Sequence, residues 1–325
     1  MLIGGFQKNT FIDFPGEIAS LVFTKGCNFR CPYCHNPDLV YLNEKELSLL
    51  SEQISTSKKP SSLIKESISP PKEPSSLIKE HILPSKELSS LIKENISPTK
   101  EPSSLINGHL SPSILNSSPL LSFFQFSGIS SATETMPGNL SVGELDVFNF
   151  IEKRKGMIDG VAITGGEPTL QKDLESFCYK MKSMGLKVKL DTNGSRPWVL
   201  KRLLCRDLLD FVAMDVKSDL SGYRQIAGDD FDTGLIRESI RLIISKAPDH
   251  EFRTTCVKPF VTEDSMKEIL SLIDGASRYI LQHCSDNVVV LEPDFFRHGG
   301  RLCSEDEMNI FRKMAEHRGF HCTIR

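Results

Sequence analysis

Three cysteines lie close together in a loop that directly follows a predicted buried strand. Cys27, Cys31 and Cys34 are four and three positions apart, and the apolar, partly β-branched run 18–23 before them is typical of a strand. Such spacing indicates either zinc with a fourth ligand or a water, or an iron–sulfur cluster, which usually has four thiolates. Three cysteines can hold three irons of a cubane and leave the fourth iron open. A structural zinc knuckle and three unrelated thiols are the alternatives.

The composition is that of an ordinary soluble chain. Its 325 residues are enough for a sizeable core or two domains, and 39% apolar and 25% charged residues are typical values. The net charge of −3 provides no basic field for nucleic acid, and no apolar run is long enough to span a bilayer. The start lacks a secretory pattern, and nine cysteines without framework spacing favour a reducing compartment. We expect a cytoplasmic protein without nucleic-acid or membrane partners.

A repetitive segment divides the chain. Four 14-residue copies, each with Ser-Ser-Leu-Ile and a later proline, begin at Lys58, Lys72, Lys86 and Lys100. Few apolar residues and a near-neutral charge predict a disordered or loosely helical insertion in a surface loop, with a partner-docking array as the alternative. The predicted organisation is the first part of a domain at 1–43, the repetitive insertion at 44–138, and the remainder of the domain at 139–325.

Outside the insertion, predicted strands alternate with helices of about 10–15 residues, which indicates βαβ units and a parallel sheet. The predicted strands are 18–24, 161–164, 186–190, 209–214, 251–257, 279–282 and 320–324. The predicted helices are 173–184, one from Pro197, 233–245, 263–273 and 304–318. The predicted fold is therefore α/β: a partial (βα)6 barrel with a hairpin-like lead at 1–16 and a long low-complexity repeat insertion.

The first helix after the insertion has a predicted start and a predicted apolar face. Ser141 followed by Glu144 is a capping-box pattern, and Leu145, Phe148 and Ile151 recur at helical spacing. We therefore expect the helix to be capped by Ser141 and to carry these three apolar residues on one face.

Polar motifs follow three of the predicted strands, and two of the motifs contain glycine. They are Gly165-Gly166-Glu167-Pro168, Asp191-Thr192-Asn193-Gly194 and Met214-Asp215-Val216-Lys217, and they stand at what would be the active-site edge of a βα barrel. Taken singly, the first two motifs are more typical of polar turns, and the alternative for Lys217 in the third is a solvated lysine. Together with the cysteine loop they resemble the radical S-adenosylmethionine superfamily, over about 1–43 and 139–285.

A narrower resemblance is to activating proteins of glycyl-radical enzymes, carried by Thr10–Gly16, Cys31–Pro37 and the strand-end motifs. The segments Glu152–Gly156, Asp159–Leu170 and Glu251–Thr255 are similar to activating proteins of anaerobic ribonucleoside-triphosphate reductase. The resemblance implies an oxidoreductase that cleaves S-adenosylmethionine reductively to a 5′-deoxyadenosyl radical and installs a glycyl radical on that reductase. It also implies a flavodoxin- or ferredoxin-type electron donor.

The same resemblance implies roles for single residues. Cys27, Cys31 and Cys34 would hold a [4Fe–4S] cluster whose open iron takes the amino and carboxylate groups of S-adenosylmethionine. Gly165, Gly166 and Glu167 would contact the methionine amino end, and Tyr33 and His35 would lie beside the adenosyl group. Asp191, Thr192 and Asp215 would lie at a monovalent cation and the methionine carboxylate. Lys217 and Asp215 would contact the nucleoside and carboxylate region. Lys217 and Arg253 are also candidate catalytic residues, with a solvated lysine and a surface ion pair as the respective alternatives.

The sequence departs from the family pattern in two places. Residues 35–177 contain no cysteine and the later cysteines form no Cys-x-x-Cys pair, so the insertion supplies no extra cluster. After Gln282 the chain continues with His283-Cys284-Ser285-Asp286, where the family has a second glutamine and Phe-Arg-Pro. Two alternative functions stay open: a radical S-adenosylmethionine enzyme acting on another glycyl-radical enzyme, a peptide or a small molecule, and an iron–sulfur scaffold that recruits partners through its repeats.

Overall fold

The fold is built on one eight-stranded sheet whose strands follow one another in chain order. The computed structural model describes residues 1–43, 142–297 and 299–325. The strands are β1 (Ile3–Thr10), β2 (Ala19–Thr24), β3 (Gly160–Gly165), β4 (Lys187–Thr192), β5 (Phe211–Asp215), β6 (His250–Cys256), β7 (Arg278–His283) and β8 (His321–Ile324). β1 pairs with β2 in the antiparallel sense, and each later strand is parallel to its predecessor. β1 and β8 end the strand order, so the described residues form an open, partial barrel.

The connections between the parallel strands are helical. The helices are α1 (Pro37–Val40), α2 (Glu144–Lys153), α3 (Leu174–Ser183), α4 (Pro197–Leu204), α5 (Tyr223–Ala227), α6 (Gly234–Lys246), α7 (Glu263–Leu272) and α8 (Glu305–His317), with a short 3-10 turn at Pro168–Leu170. Since β2 to β7 are each followed by such a connection, the predicted count of six βα units is confirmed. None of the helices in the described ranges is long and apolar enough to cross a membrane.

The apolar runs that predict strands are buried because helices cover them. Val161 and Ile163 of β3 are fully buried, as are Val188 and Leu190 of β4. Their β-branched and aliphatic side chains suit a strand covered on its faces, as expected for a parallel sheet. Cys256, expected in the core, is buried there as well. The predicted 14-residue repeats lie outside the described residues.

The predicted start of α2 is wrong in its details. The helix begins at Glu144, and its cap is Gly143, whose N–H donates to the Asp146 carboxylate at 3.0 Å. Leu145 is 68% exposed, whereas Phe148 and Ile151 are buried. Leu145 lies in the first turn of the helix and faces the solvent. Ser141 lies outside the described residues.

Aromatic side chains fill the amino-terminal end of the barrel interior. Phe14, from the β1–β2 connection, packs edge-on against Phe211 of β5, with ring centroids 6.0 Å apart, and both join Ala19 and Ala213 in a small buried cluster. A Cβ on Gly160 would lie 2.9 Å from the Phe14 ring, so only glycine fits beside it. The interior is therefore packed with apolar groups at this end, and the polar motifs lie toward the other.

Candidate active site

The polar motifs meet at the carboxyl edge of the sheet because the strands that carry them are parallel. Thr24 at the end of β2 is paired with Gly165 of β3, and Thr192 at the end of β4 is paired with Met214 of β5. Asp215, which ends β5, is paired with Arg253 of β6. The carboxyl edge of a βα barrel is where its active sites are built.

The cysteine loop, residues 25–36, packs directly on the Gly-Gly-Glu turn. The Glu167 N–H donates to the Gly26 carbonyl oxygen at 2.8 Å, and the Gly26 N–H donates to Leu39 O at 2.7 Å. A Cβ on Gly166 would collide with the Gly26 carbonyl group, and one on Gly165 would collide with the backbone of Thr24. Gly26 and Gly165 also have φ values of +89° and +118°. The glycines are thus required by the close contact between loop and turn.

The cysteine thiols lie in a buried, electrically coupled group. The pKa of Cys27 is raised to about 11 and that of Cys31 to about 12, mainly by burial and in smaller part by negative charge on neighbouring thiols, including Cys34. The Lys217 ammonium acts in the opposite direction on both thiols. The Phe29 N–H donates to Cys27 Sγ at 3.4 Å. A bound metal removes the protons that burial otherwise retains, because the thiolate is the ligand.

The donor chemistry of this loop fits an iron–sulfur cluster. Three cysteines on one short loop, with coupled thiols and a nearby ammonium, are a soft thiolate set of the kind that holds iron. In the part of the chain described, no three His, Cys, Asp or Glu side chains are already arranged around one metal position. The hydrogen bond from the Gly26 N–H to Leu39 O holds the start of the loop that carries the three cysteines.

A segment after β7, residues 284–295, covers the cysteine loop. The Leu291 N–H donates to Cys34 O at 3.1 Å, and the Glu292 N–H donates to Pro32 O at 3.0 Å. His35 Nε2 lies 3.5 Å from Cys284 Sγ, and burial lowers the pKa of His35. This cover segment begins where the sequence departs from the family pattern.

Tyr33 belongs to an aromatic group beneath the cover segment. Its ring centroid lies 5.3 Å from that of Phe260 and 6.1 Å from that of Phe295. The ring is buried, and its hydroxyl oxygen has no hydrogen-bond partner among the described residues. The contribution of Phe260 and Phe295 is invisible in the sequence because they are far from Tyr33 along the chain.

Five charged side chains inside the barrel form what we call the charge network: Lys189, Asp191, Arg253, Asp215 and Lys217. Arg253 is at its centre, with Nη1 3.1 Å from Asp191 Oδ2 and Nε 2.7 Å from Asp215 Oδ1. Lys217 Nζ donates to Asp215 Oδ2 at 2.9 Å, and Lys189 Nζ donates to Asp191 Oδ1. The two carboxylates and three basic groups alternate along the network.

Electrostatics keep Asp191, Asp215 and Lys217 of the charge network ionised although they are buried. Burial raises the pKa of Asp191 and of Asp215, but the positive charges beside them outweigh burial and hold both values below the usual range. The Asp215 carboxylate likewise keeps the pKa of Lys217 above its usual value against the opposing effect of burial. The structure therefore unites four predicted site residues and adds Lys189, which sequence reasoning missed. The available signal was its position two residues before Asp191, on the same face of β4.

Glu167 ties the end of β3 to the end of β4. Its carboxylate is fully buried and accepts hydrogen bonds from Thr192 Oγ1 at 2.8 Å and from the Asn193 N–H at 2.7 Å. The N–H and hydroxyl of Thr169 complete the set. Burial raises the pKa of Glu167, and these hydrogen bonds oppose that effect. The predicted ligand of the methionine amino group is thus bonded to three residues of the protein.

Replacing Thr192 with valine tests this connection. Thr192 Oγ1 donates to Glu167 and accepts from the Gly194 N–H at 3.1 Å, so valine leaves two buried groups each short of a partner. We expect the free energy of unfolding to fall by about 1–3 kcal/mol. Urea unfolding measures this change, with Thr233→Val as the control because the Thr233 side chain makes no capping hydrogen bond. Equal stability of the two variants would contradict the connecting role.

Comparison with known proteins identifies relatives. No protein-family model matches the chain. A Methanocaldococcus jannaschii protein, provisionally named as a glycyl-radical enzyme activating enzyme, is 34% identical over 287 residues, covering 86% of this chain and 79% of the relative. A 7-carboxy-7-deazaguanine synthase of Thermococcus kodakarensis is 26% identical over 183 residues, covering 54% of this chain and 69% of the relative.

Solved structures show a weaker likeness. Streptococcus suis SuiB bound to S-adenosylmethionine aligns with a TM-score of 0.42 and 10% identity, over 59% of this chain and 45% of that chain. TYW1 with a lysine-pyruvate adduct aligns with a TM-score of 0.38 and 18% identity, over 55% of this chain and 54% of that chain. The chain thus spans about half the length of these structures.

An open parallel barrel with a three-cysteine loop and a Gly-Gly-Glu turn packed together at its carboxyl edge defines a radical S-adenosylmethionine protein. Its cofactors are a [4Fe–4S] cluster and S-adenosylmethionine. Within that class, the extent of similarity to the M. jannaschii relative places the chain in the family of glycyl-radical enzyme activating enzymes.

Proposed function

We propose that the protein cleaves S-adenosylmethionine reductively and installs a glycyl radical on anaerobic ribonucleoside-triphosphate reductase. The observation that carries the proposal is the contact of the cysteine loop with the Gly-Gly-Glu turn beside the charge network. A cluster held by Cys27, Cys31 and Cys34 would supply the electron for reductive cleavage of the S–C5′ bond, and the 5′-deoxyadenosyl radical released would take a hydrogen atom from a glycine of the partner. The protein orients the ligand and excludes water.

The residues of this edge match the charges of the ligand. S-adenosylmethionine carries an ammonium, a carboxylate and a sulfonium group, so its site needs both signs of charge. The charge network contains three basic groups and two carboxylates, so both signs of charge are present at this edge. Lys217 is the basic group coupled to the thiols of Cys27 and Cys31, and we assign the carboxylate contact to it. Gly165 and Gly166 supply close backbone for the amino end.

The choice of partner rests on the sequence and the family. Membership of the activating-enzyme family supports a glycyl-radical enzyme as the partner. The segments Glu152–Gly156 and Asp159–Leu170 support the ribonucleotide reductase in particular. A flavodoxin- or ferredoxin-type donor would supply the electron, and we place the reaction in the cytoplasm.

One experiment separates the three functions considered. The protein is reconstituted anaerobically with iron and sulfide, reduced, and given S-adenosylmethionine with and without the candidate reductase. We expect 5′-deoxyadenosine in both cases and a glycyl electron paramagnetic resonance signal only with the reductase. Cleavage without that signal on the reductase would support action on another substrate. Absence of cleavage from a protein that holds its cluster would support the scaffold function and overturn the proposal.

A further inference from the structure

We propose that Lys189 and Arg253 are resident cations that take the place of a monovalent metal ion in the S-adenosylmethionine site. The residues predicted to hold such an ion are Asp191, Thr192 and Asp215, and in the structure their side chains are engaged by groups of the protein. The inference rests on the proposed function, because it concerns how the same site holds the methionine carboxylate. It assigns Lys189 a positioning role in that site.

Both oxygens of Asp191 are engaged by basic groups. Lys189 Nζ bonds to Oδ1, and Arg253 Nη1 lies 3.1 Å from Oδ2. Lys189 is 1% exposed, so its ammonium is held in the barrel interior and depends on Asp191 for its charge partner. Lys189 Nζ also lies over the Phe211 ring, 5.8 Å from its centroid. The ion pair with Asp191 holds the Lys189 side chain in one place within the site.

The other two predicted ligands are also engaged. Asp215 accepts from Arg253 Nε at 2.7 Å through Oδ1 and from Lys217 Nζ at 2.9 Å through Oδ2. The Thr192 hydroxyl donates to Glu167 at 2.8 Å and accepts from the Gly194 N–H at 3.1 Å. An additional metal ion coordinated by these oxygens would lie beside an ammonium or guanidinium group and be repelled by it.

Three neighbouring strands bring the residues of this arrangement together. Lys189 and Asp191 are two positions apart on β4, which places both side chains on the barrel side of the strand. Arg253 arrives from β6, across the neighbouring strand β5 that carries Asp215. Lysine and arginine therefore supply, from fixed positions, the positive charge that a soluble ion would otherwise provide between the two carboxylates.

The test compares cations at matched ionic strength. Affinity for S-adenosylmethionine and the thermal midpoint of the reconstituted protein are measured in chloride salts of sodium, potassium and tetramethylammonium. We expect the wild-type dissociation constant to vary by less than about twofold among the salts, and its midpoint to show no specific gain in sodium or potassium. In Lys189→Met, affinity should fall by about tenfold or more in tetramethylammonium and recover in sodium or potassium.

Two further variants serve as controls for Lys189→Met. Lys187→Met, on the same strand, removes a lysine that pairs with Glu17 at the exposed end, and it should behave as the wild type in every salt. Lys189→Arg keeps the positive charge and should stay independent of the cation even if Lys189→Met does not fold. A wild-type protein that loses about tenfold in affinity when tetramethylammonium replaces potassium would overturn the inference. If S-adenosylmethionine binds in none of the salts, the proposed function fails. The resident-cation assignment is then tested by the thermal midpoint alone, and a potassium-specific rise in the wild-type midpoint would overturn it.

Discussion

Replacing Cys34 with alanine is expected to leave a protein that holds no complete [4Fe–4S] cluster and forms no 5′-deoxyadenosine. The cysteine loop offers three thiols, and iron–sulfur clusters are held by cysteine thiolates, so the loss of one removes a required ligand. The same result is expected for Cys27→Ala and Cys31→Ala. Iron and sulfide content, the visible absorption of the reconstituted protein and product formation measure the effect.

A matched cysteine variant shows that the effect belongs to the loop. Cys205 is exposed at the end of α4, and Cys205→Ala should bind the cluster and cleave S-adenosylmethionine as the wild type does. The alanine variants of the loop should retain the far-ultraviolet circular dichroism of the fold, because the loop lies outside the strands. Full cleavage activity in Cys34→Ala would overturn the assignment of the cluster to these cysteines.

The second large effect is expected from Arg253→Met. The guanidinium group separates Asp191 from Asp215 and bonds to both, so methionine would leave two buried carboxylates with less compensation. Removing one partner of a buried charge pair costs about 3–5 kcal/mol of stability. We expect a loss of this size in the free energy of unfolding, measured by urea denaturation at neutral pH. Loss of S-adenosylmethionine binding should accompany it.

The pH dependence of this loss has a definite sign. In the wild type, both carboxyl groups have a folded-state pKa below the usual 3.8, so their contribution is present above that pH and is lost only below it. In Arg253→Met, less positive charge remains, and burial raises the pKa of at least one carboxyl group. Protonation then relieves the unfavourable charge, so the stability deficit relative to the wild type should shrink between about pH 7.5 and pH 5.

Arg278→Met is the control for charge removal from the sheet. Arg278 lies on β7 and pairs with Asp249, which is half exposed, so its loss should cost about 1 kcal/mol or less. A deficit in Arg253→Met that is equally small, or that grows as the pH is lowered, would contradict the structural account of the charge network.

The sequence predicts the order of strands and helices well because each element depends on a local pattern. Runs such as 161–163 and 211–214 are apolar throughout, and in a parallel sheet such runs are buried by helices on either side. The start of α2 could not be predicted equally well, since Ser141 with Glu144 and Gly143 with Asp146 are competing caps only two residues apart. Local patterns identify a helix more reliably than its first residue.

The partners of the site residues could not be predicted from the sequence. Arg253 and Asp191 are 62 positions apart, and Tyr33 meets Phe295 only through the path of the cover segment. A lysine within a strand pattern is usually exposed, so Lys189 gives no local sign of its buried ion pair. Strand-end positions predict which residues share an edge, but side-chain packing across strands decides which of them form ion pairs.

The pairing of β2 with β3 has a consequence for how the site is assembled during folding. Ser20 pairs with Val161 and Thr24 with Gly165, whereas every other neighbouring pair of strands is joined by a much shorter stretch of chain. The entropy of closing a loop grows only slowly with its length, by about 0.6 kcal/mol per doubling, so the long connection costs little stability. Contacts that are distant in sequence form slowly, however. We therefore expect the β1–β2 hairpin to join a sheet already formed by β3–β8, so that the cysteine loop reaches the charge network late in folding.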